Sequence, residues 1–186
     1  MLWDDSFLYV LAEMQEPHVW ADITERDAPI YNNNAFEIFI NPDDNQAGYV
    51  EFEINALGTI WDLRMDFPYR DGGRPDSAWD APGLKWAVDI QGTLNDPNDV
   101  DDGWSVEWAI PAREIGKMHD ATWPATTPWR MNFLRILWPH ELAGGRYQKQ
   151  TGPEGTPLSA NYLVWTPQYV VDMHQPEHWG FVMFAE

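Results

Sequence analysis

The sequence predicts an all-β fold: an antiparallel β-sandwich, jelly-roll or immunoglobulin-like, with one short helix. Three observations carry that prediction. Apolar and polar residues alternate with a period of two through a series of strand-length runs. The 15 Pro and 13 Gly stand mostly between those runs, as turn punctuation rather than in helix interiors. Helical spacing is confined to one brief stretch, and many short strands with little helix is the signature of a sandwich. At 186 residues with 44% hydrophobic content, the chain is expected to form one folded domain over 1–186, with no disordered or low-complexity tract.

Each element follows in order. Phe7 to Glu13 is a strand rich in aromatic and apolar residues. Ala35 to Ile40 alternates and stops at the turn cluster Asn41-Pro-Asp-Asp-Asn45. Tyr49 to Asn55 alternates most cleanly, with Val50, Phe52 and Ile54 on one face and Glu51, Glu53 and Asn55 on the other. Thr59 to Met65, Lys85 to Gln91 and Trp104 to Ile110 follow, the last two separated by the acidic loop Asn95 to Asp102. Pro111-Ala-Arg-Glu-Ile115 reads as a short helix, Pro at its first position and Gly116 at its end. Trp129 to Trp138, Tyr162 to Trp165 and Gly180 to Phe184 complete the strands.

Charge narrows the partners. Thirty acidic residues against 11 basic ones give a net charge of −19. Such a field repels phosphate backbones and anionic headgroups, which excludes nucleic acid and membrane surfaces and leaves neutral ligands and cations. With no Cys there is neither a disulfide scaffold nor a thiolate metal site. No run of 18 apolar residues is present to span a bilayer. Met1-Leu-Trp-Asp-Asp lacks the basic and apolar regions of a signal peptide and leads at once into strand-like sequence, as if the chain began inside a larger unit.

The chemistry-bearing residues fall into four groups. Glu51, Glu53 and Asn55 stand about 6.6–6.8 Å apart along one strand face, a row suited to sugar hydroxyls, although composition alone favours the wet face of a half-exposed sheet. Glu37 on the preceding strand extends the row. Side chains pointing the same way flank a scissile glycosidic bond poorly, so the row does not read as a hydrolase pair. Among the 12 Trp, the alternation puts Trp104, Trp108 and Trp61 in the core. Trp20, Tyr31, Trp79, Trp165, Met173 and Trp179, in polar or turn-rich surroundings, are the candidates for exposure and for stacking on a sugar ring. The acidic turns offer Asp43, Asp44, Asp99 and Asp101 as oxygen ligands for a structural Ca²⁺, although turns favour Asp and Asn for backbone reasons alone. Of the five His (His18, His119, His140, His174, His178) none has metal-triad spacing, and Met173-His174 offers axial ligands for haem as a minority reading.

Several of these stretches together resemble carbohydrate-binding module family 9, in its bacterial family 9-like branch. They are Leu2-Trp-Asp-Asp-Ser-Phe-Leu-Tyr-Val-Leu-Ala12, Glu16-Pro-His-Val-Trp-Ala21, Asn34-Ala-Phe-Glu-Ile-Phe-Ile-Asn-Pro-Asp43, Tyr49-Val-Glu-Phe-Glu-Ile-Asn-Ala56 and Gly103-Trp-Ser-Val-Glu-Trp-Ala-Ile-Pro111. Arg130-Met-Asn-Phe-Leu-Arg135, Trp165-Thr-Pro-Gln168 and Met173-His-Gln-Pro-Glu-His-Trp-Gly180 continue the series in order. The resemblance implies a DOMON-like sandwich that binds sugar without cleaving it, outside the cell or in the periplasm, attached to or encoded beside polysaccharide-degrading glycoside hydrolases. It also implies structural calcium, and a segment preceding Leu2 that this chain lacks. The family's two clamping Trp fall on Tyr31 and Met173, its strand Glu and Asn on Glu37 and Asn55, and its Arg on Glu53. Trp165, Arg135 and His174 belong to motifs of the closer branch. Haem binding elsewhere in the superfamily, or a scaffold whose sugar site has decayed, are the alternatives.

Overall fold

The computed structural model describes residues 1–117 and 121–185, so His119 lies outside the described residues. Its strands are β1 (Leu2–Trp3), β2 (Phe7–Gln15), β3 (Ala35–Asn41), β4 (Tyr49–Asn55), β5 (Ile60–Met65), β6 (Pro75–Asp76) and β7 (Lys85–Gln91). After them come β8 (Gly103–Pro111), the helix α1 (Ala112–Gly116), β9 (Trp129–Leu137), β10 (His140–Ala143), β11 (Arg146–Lys149), β12 (Asn161–Val164) and β13 (Gly180–Val182). Pro111 caps the helix from outside rather than opening its first turn. One sheet has the order β1-β2-β8-β7; the other runs β12-β9-β3-β4-β5-β6, with β13 also paired to β9. The antiparallel sandwich expected from the alternation is present.

The alternating apolar faces meet between the sheets. Leu8 and Val10 of β2 and Trp104, Val106, Trp108 and Ile110 of β8 pack with Phe36, Ile38 and Ile40 of β3 and Val50, Phe52 and Ile54 of β4. Trp104 and Trp108 are core residues, as their spacing requires.

A second apolar cluster lies on the opposite face of the larger sheet. There Phe39, Tyr49, Leu63, Met65, Leu134 and Ile136 are covered by Ile30, Ala160 and Trp179 from connecting segments. Every residue of β3 and β4 is consequently buried. The half-exposed face expected for Glu51, Glu53 and Asn55 is therefore roofed, and the roof also buries Trp179, which was expected to be exposed.

Trp20 is corrected in the same way. The hairpin β10–β11 pairs His140 with Lys149 and Ala143 with Arg146, and Tyr147 stacks on Trp20 at 6.2 Å and 21°. Its turn is Gly144-Gly145, both at positive φ, a two-residue hairpin loop legible in the sequence.

The four acids assigned to calcium have separate surroundings. Asp44 ion-pairs with Arg130, and Asp43 accepts from both amides of Asn45. Asp99 is partly buried, with one carboxyl oxygen lacking a hydrogen bond. Asp101 is buried and uses both oxygens on backbone, accepting Val19 N–H and Thr93 N–H at 2.7 Å each. Gly92 at φ +148° makes room for it, since a Cβ there would fall 1.9 Å from Asp101 Oδ1. Among the described residues, neither carboxylate cluster of metal-ligand spacing includes any of the four. Asp101 acts as a staple between the β2–β3 and β7–β8 connections. Replacing it (Asp101→Ala) leaves two amides without an acceptor and should cost about 2–4 kcal/mol. Urea unfolding at pH 7 checks this, with the same loss expected in calcium and in chelator; a loss that calcium changes would return Asp101 to a metal site.

Candidate functional site

The outer face of the larger sheet is not fully closed. Between the Tyr31 turn, the Tyr69 turn and the segment 167–174 an open cleft of about 710 Å³ reaches down to the sheet. Strand pairing decides what forms its floor. Glu37 stands directly opposite Glu53, and Glu51 opposite Phe39. Across the other edges Leu134 pairs with Glu37, Trp61 with Glu53 and Leu63 with Glu51. The floor is thus three carboxyl groups set in apolar and aromatic neighbours. Their oxygen atoms lie within 4.8 Å of one another.

These carboxyls are out of water. Glu37 and Glu53 are each 3% exposed and Glu51 is 4%. Burial raises Glu37 well above the ordinary carboxylate range, and the charge of Glu51 adds to it. Burial likewise raises Glu53 well above that range, with Glu37 and Glu51 adding. Glu51 is pushed up to about 8, again chiefly by burial. Among the described residues no Lys or Arg forms an ion pair with any of the three. His174 Nε2 lies 3.7 Å from Glu51 Oε2, but burial pulls that imidazole down to about 4, so it is neutral at pH 7. The other acidic cluster, Asp27–Asp62–Asp80, differs because Arg26 pairs with all three of its members.

The walls are aromatic. The Tyr31 ring is 6.1 Å from Trp61, and the Tyr69 ring meets His174 edge to face at 4.4 Å. The Tyr49 hydroxyl is 2.9 Å from His174 Nδ1. Glu53 Oε2, Trp61 Nε1 and Gln168 Oε1, all on lining residues, are buried without a hydrogen-bond partner. Such atoms are uncommon in folded proteins and call for an explanation.

Of the residues expected in the site, Tyr31, Glu37, Glu53, Met173 and His174 line this cleft. Three do not. Asn55 lies on the same strand face, but its amide donates to Ile23 O and Asn33 Oδ1 while its oxygen accepts Leu57 N–H and Thr59 N–H. It ties down a turn. Arg135 pairs with Phe36, on the inter-sheet face, and donates to Gln15 O at 2.6 Å and to buried Glu16 at 3.3 Å. Trp165 packs on Phe133, on that same inter-sheet side of β9, at 5.6 Å. The reading missed Glu51 as a cleft residue, although it grouped Glu51 with Glu53. It also put Trp61 in the core, whereas strand parity with Glu53 sets it on the cleft wall. The Tyr69 turn and the stretch Gln168 to Asp172 carry no periodic signal.

As for haem, His174 is hemmed in by the rings of Phe39, Tyr49 and Tyr69, with Glu51 beside its remaining nitrogen. The Met173 carbonyl accepts Trp179 Nε1–H. That enclosure does not fit an axial ligand facing an open porphyrin slot.

The raised carboxyls have a consequence for stability. Folded Glu51 keeps a proton up to about 8, whereas the unfolded chain releases it near 4.3. Stability therefore falls as pH rises between those values. His174 acts in the opposite sense, but only below its unfolded value of about 6.5, where the unfolded chain takes up a proton that the folded imidazole does not. The melting temperature should accordingly rise as pH is lowered from about 8 to 6.5, and Glu51→Gln should flatten that slope. A melting temperature that falls over the interval would contradict the assignment.

Comparison with known proteins agrees with the fold and names the family. A crystal structure from Bacteroides uniformis ATCC 8492, described as a "putative carbohydrate-binding protein", superposes with a TM-score of 0.63 at 15% sequence identity, over 95% of this chain and 72% of that one. At that identity the likeness concerns the fold. No curated protein matches the sequence. The family profile described as carbohydrate family 9 binding domain-like matches residues 1–126. With two thirds of its length so matched, on a sandwich of the expected kind, the chain belongs to the carbohydrate family 9 binding domain-like family.

Proposed function

We propose that this chain is a non-catalytic carbohydrate-binding domain whose ligand lies in the cleft above Glu37, Glu51 and Glu53. The observation that carries the reading is the lining itself. Aromatic faces stand beside buried donors and acceptors that have no protein partner, in a cleft of about 710 Å³. A sugar ring matches such a lining, its C–H face stacking on Tyr31 or Trp61 and its hydroxyls meeting Trp61 Nε1, Gln168 Oε1 and the carboxyls. Family membership supports the same ligand class. It also underlies the finer reading, in which the domain holds polysaccharide for a degrading enzyme outside the cell. Among the described residues no helix is long and apolar enough to cross a membrane.

Binding without cleavage follows from the placement of the carboxyls. A hydrolase sets its two acids on either side of the glycosidic bond. Here all three rise from one face of two adjacent strands, with oxygens within 4.8 Å of one another. The other acid of the lining, Asp172, is held by the His174 backbone N–H and by Gln175 Nε2.

Isothermal titration with a panel of mono- and disaccharides tests the reading. Saturable binding at millimolar affinity or better is expected, with every sugar recovered intact. Tyr31 is 44% exposed, so its truncation leaves the core untouched. Tyr31→Ala should weaken binding about three- to tenfold, and Trp61→Ala by about tenfold or more, roughly 1.4 kcal/mol. Absence of binding by every sugar at millimolar concentration would overturn the proposal.

A further inference from the structure

The cleft has a feature that a neutral sugar uses only in part. Its floor gathers three carboxyl groups; Glu53 accepts from the Tyr31 backbone and shares a hydrogen bond with Glu51, yet its buried Oε2 meets no N–H donor. Glu53 is only 3% exposed, so ordinary solvation does not meet its needs. No Lys or Arg among the described residues pairs with the three, and the surrounding chain carries a net charge of −19. Ionising all three would set like charges directly opposite each other on paired strands, which is destabilising. A buried set of this kind is matched by a cation.

Geometry and surroundings say which cation. A primary ammonium donates three hydrogen bonds at tetrahedral angles, each about 2.7–2.9 Å long. Its three acceptors then stand roughly 4.4–4.7 Å apart. The three carboxyls supply one oxygen each no more than 4.8 Å apart, a bound that this spacing satisfies. A bare divalent ion would need six to eight oxygen ligands about 2.0–2.6 Å away. Apart from these carboxyls the floor and walls are mostly apolar and aromatic: Phe39, Leu63, Leu134, Ile136, Trp61 and Tyr69. They suit an organic cation, whose ring packs on aromatic faces and whose charge is drawn to them.

We propose that the ligand of this cleft is an amino sugar with a free amine, its ammonium seated on Glu37, Glu51 and Glu53 and its ring against Tyr31 and Trp61. The inference rests on the carbohydrate-binding reading and names the substrate class of that site.

Titration calorimetry at pH 6.5 with three disaccharides of one linkage tests it: diglucosamine, its N,N′-diacetyl form, and cellobiose. The free diamine should bind at least tenfold tighter than either uncharged sugar. Glu53→Gln and Glu37→Gln should each reduce that preference to about threefold or less, since each removes one carboxyl that can ionise against the ammonium. The wild-type comparison stands even where a variant fails to fold. Equal affinity for the three sugars overturns the amino-sugar inference and leaves the carbohydrate reading in place. Binding to none of them overturns both. A parallel titration of sugar-free protein with Ca²⁺ and Mn²⁺ separates the remaining case. Micromolar binding abolished by Glu53→Gln would assign the carboxyls to a metal ion and overturn the inference.

Discussion

Burial of β3 and β4 on both faces is the constraint on which the site depends. One face closes against the second sheet through Phe36, Ile38, Val50, Phe52 and Ile54. The other is roofed by segments that place Ile30 and Trp179 over Phe39 and Tyr49. A strand with only one covered face would hold Glu37, Glu51 and Glu53 in water, with ordinary acidity and no reason to select a ligand. The second cover removes that water and leaves an opening only above the carboxyls.

A desolvated carboxylate is costly unless it is paired, and a group so placed takes up a proton or finds a cation. Elsewhere in this molecule the cost is met locally. Asp101 accepts two backbone amides, Asp62 is paired with Arg26, and Glu16 accepts from Asn34, Trp104 and Arg135. The cleft carboxyls lean instead on one another and on the Tyr31 backbone, with no Lys or Arg among the described residues paired to them. Groups that weaken the folded state in this way are characteristic of binding sites, where stability and function compete. Tyr31, Trp61 and Tyr69 give the same place its shape. Together they make a pocket that is acidic at its base and aromatic at its sides.

The sequence was most informative where local periodicity decides structure. The limits of β4 and β7 are those the alternation implies, and Trp104 and Trp108 lie in the core. Periodicity also tells which residues of one strand share a face, so it groups Glu51 with Glu53 and Asn55, and Glu37 on the preceding strand extends that row. It is silent on what covers a face. The roof over β4 comes from the Ile30 turn and from residues around Ala160 and Trp179, more than 100 positions further along the chain, in stretches without a repeat. For that reason Glu51 read as solvated and Trp179 as exposed. Trp61 read as core because an alternating strand buried on both sides offers no clue to which side holds the cleft. Arg135 and Trp165 entered the candidate set through family motifs. Register alone separates them from the site, since Arg135 pairs with Phe36 and Trp165 packs on Phe133. Asn55 has the right face and the wrong task, because its amide is spent on neighbouring backbone. The acidic turns divide. Asp43 accepts the amides of its turn neighbour Asn45, whereas Asp101 ties together distant connections through Val19 and Thr93.

The central claim is that three carboxyls at the base of the cleft are held out of water. Carbon-13 NMR of protein labelled at the glutamate side-chain carboxyls, titrated between pH 4 and pH 9 and assigned with the single Glu→Gln variants, tests it most directly. The account predicts that the resonances of Glu37, Glu51 and Glu53 titrate well above the other glutamates, with Glu51 near pH 8. Midpoints for all three in the ordinary range, about 4.3, would mean that the cleft floor is wet, and would contradict it.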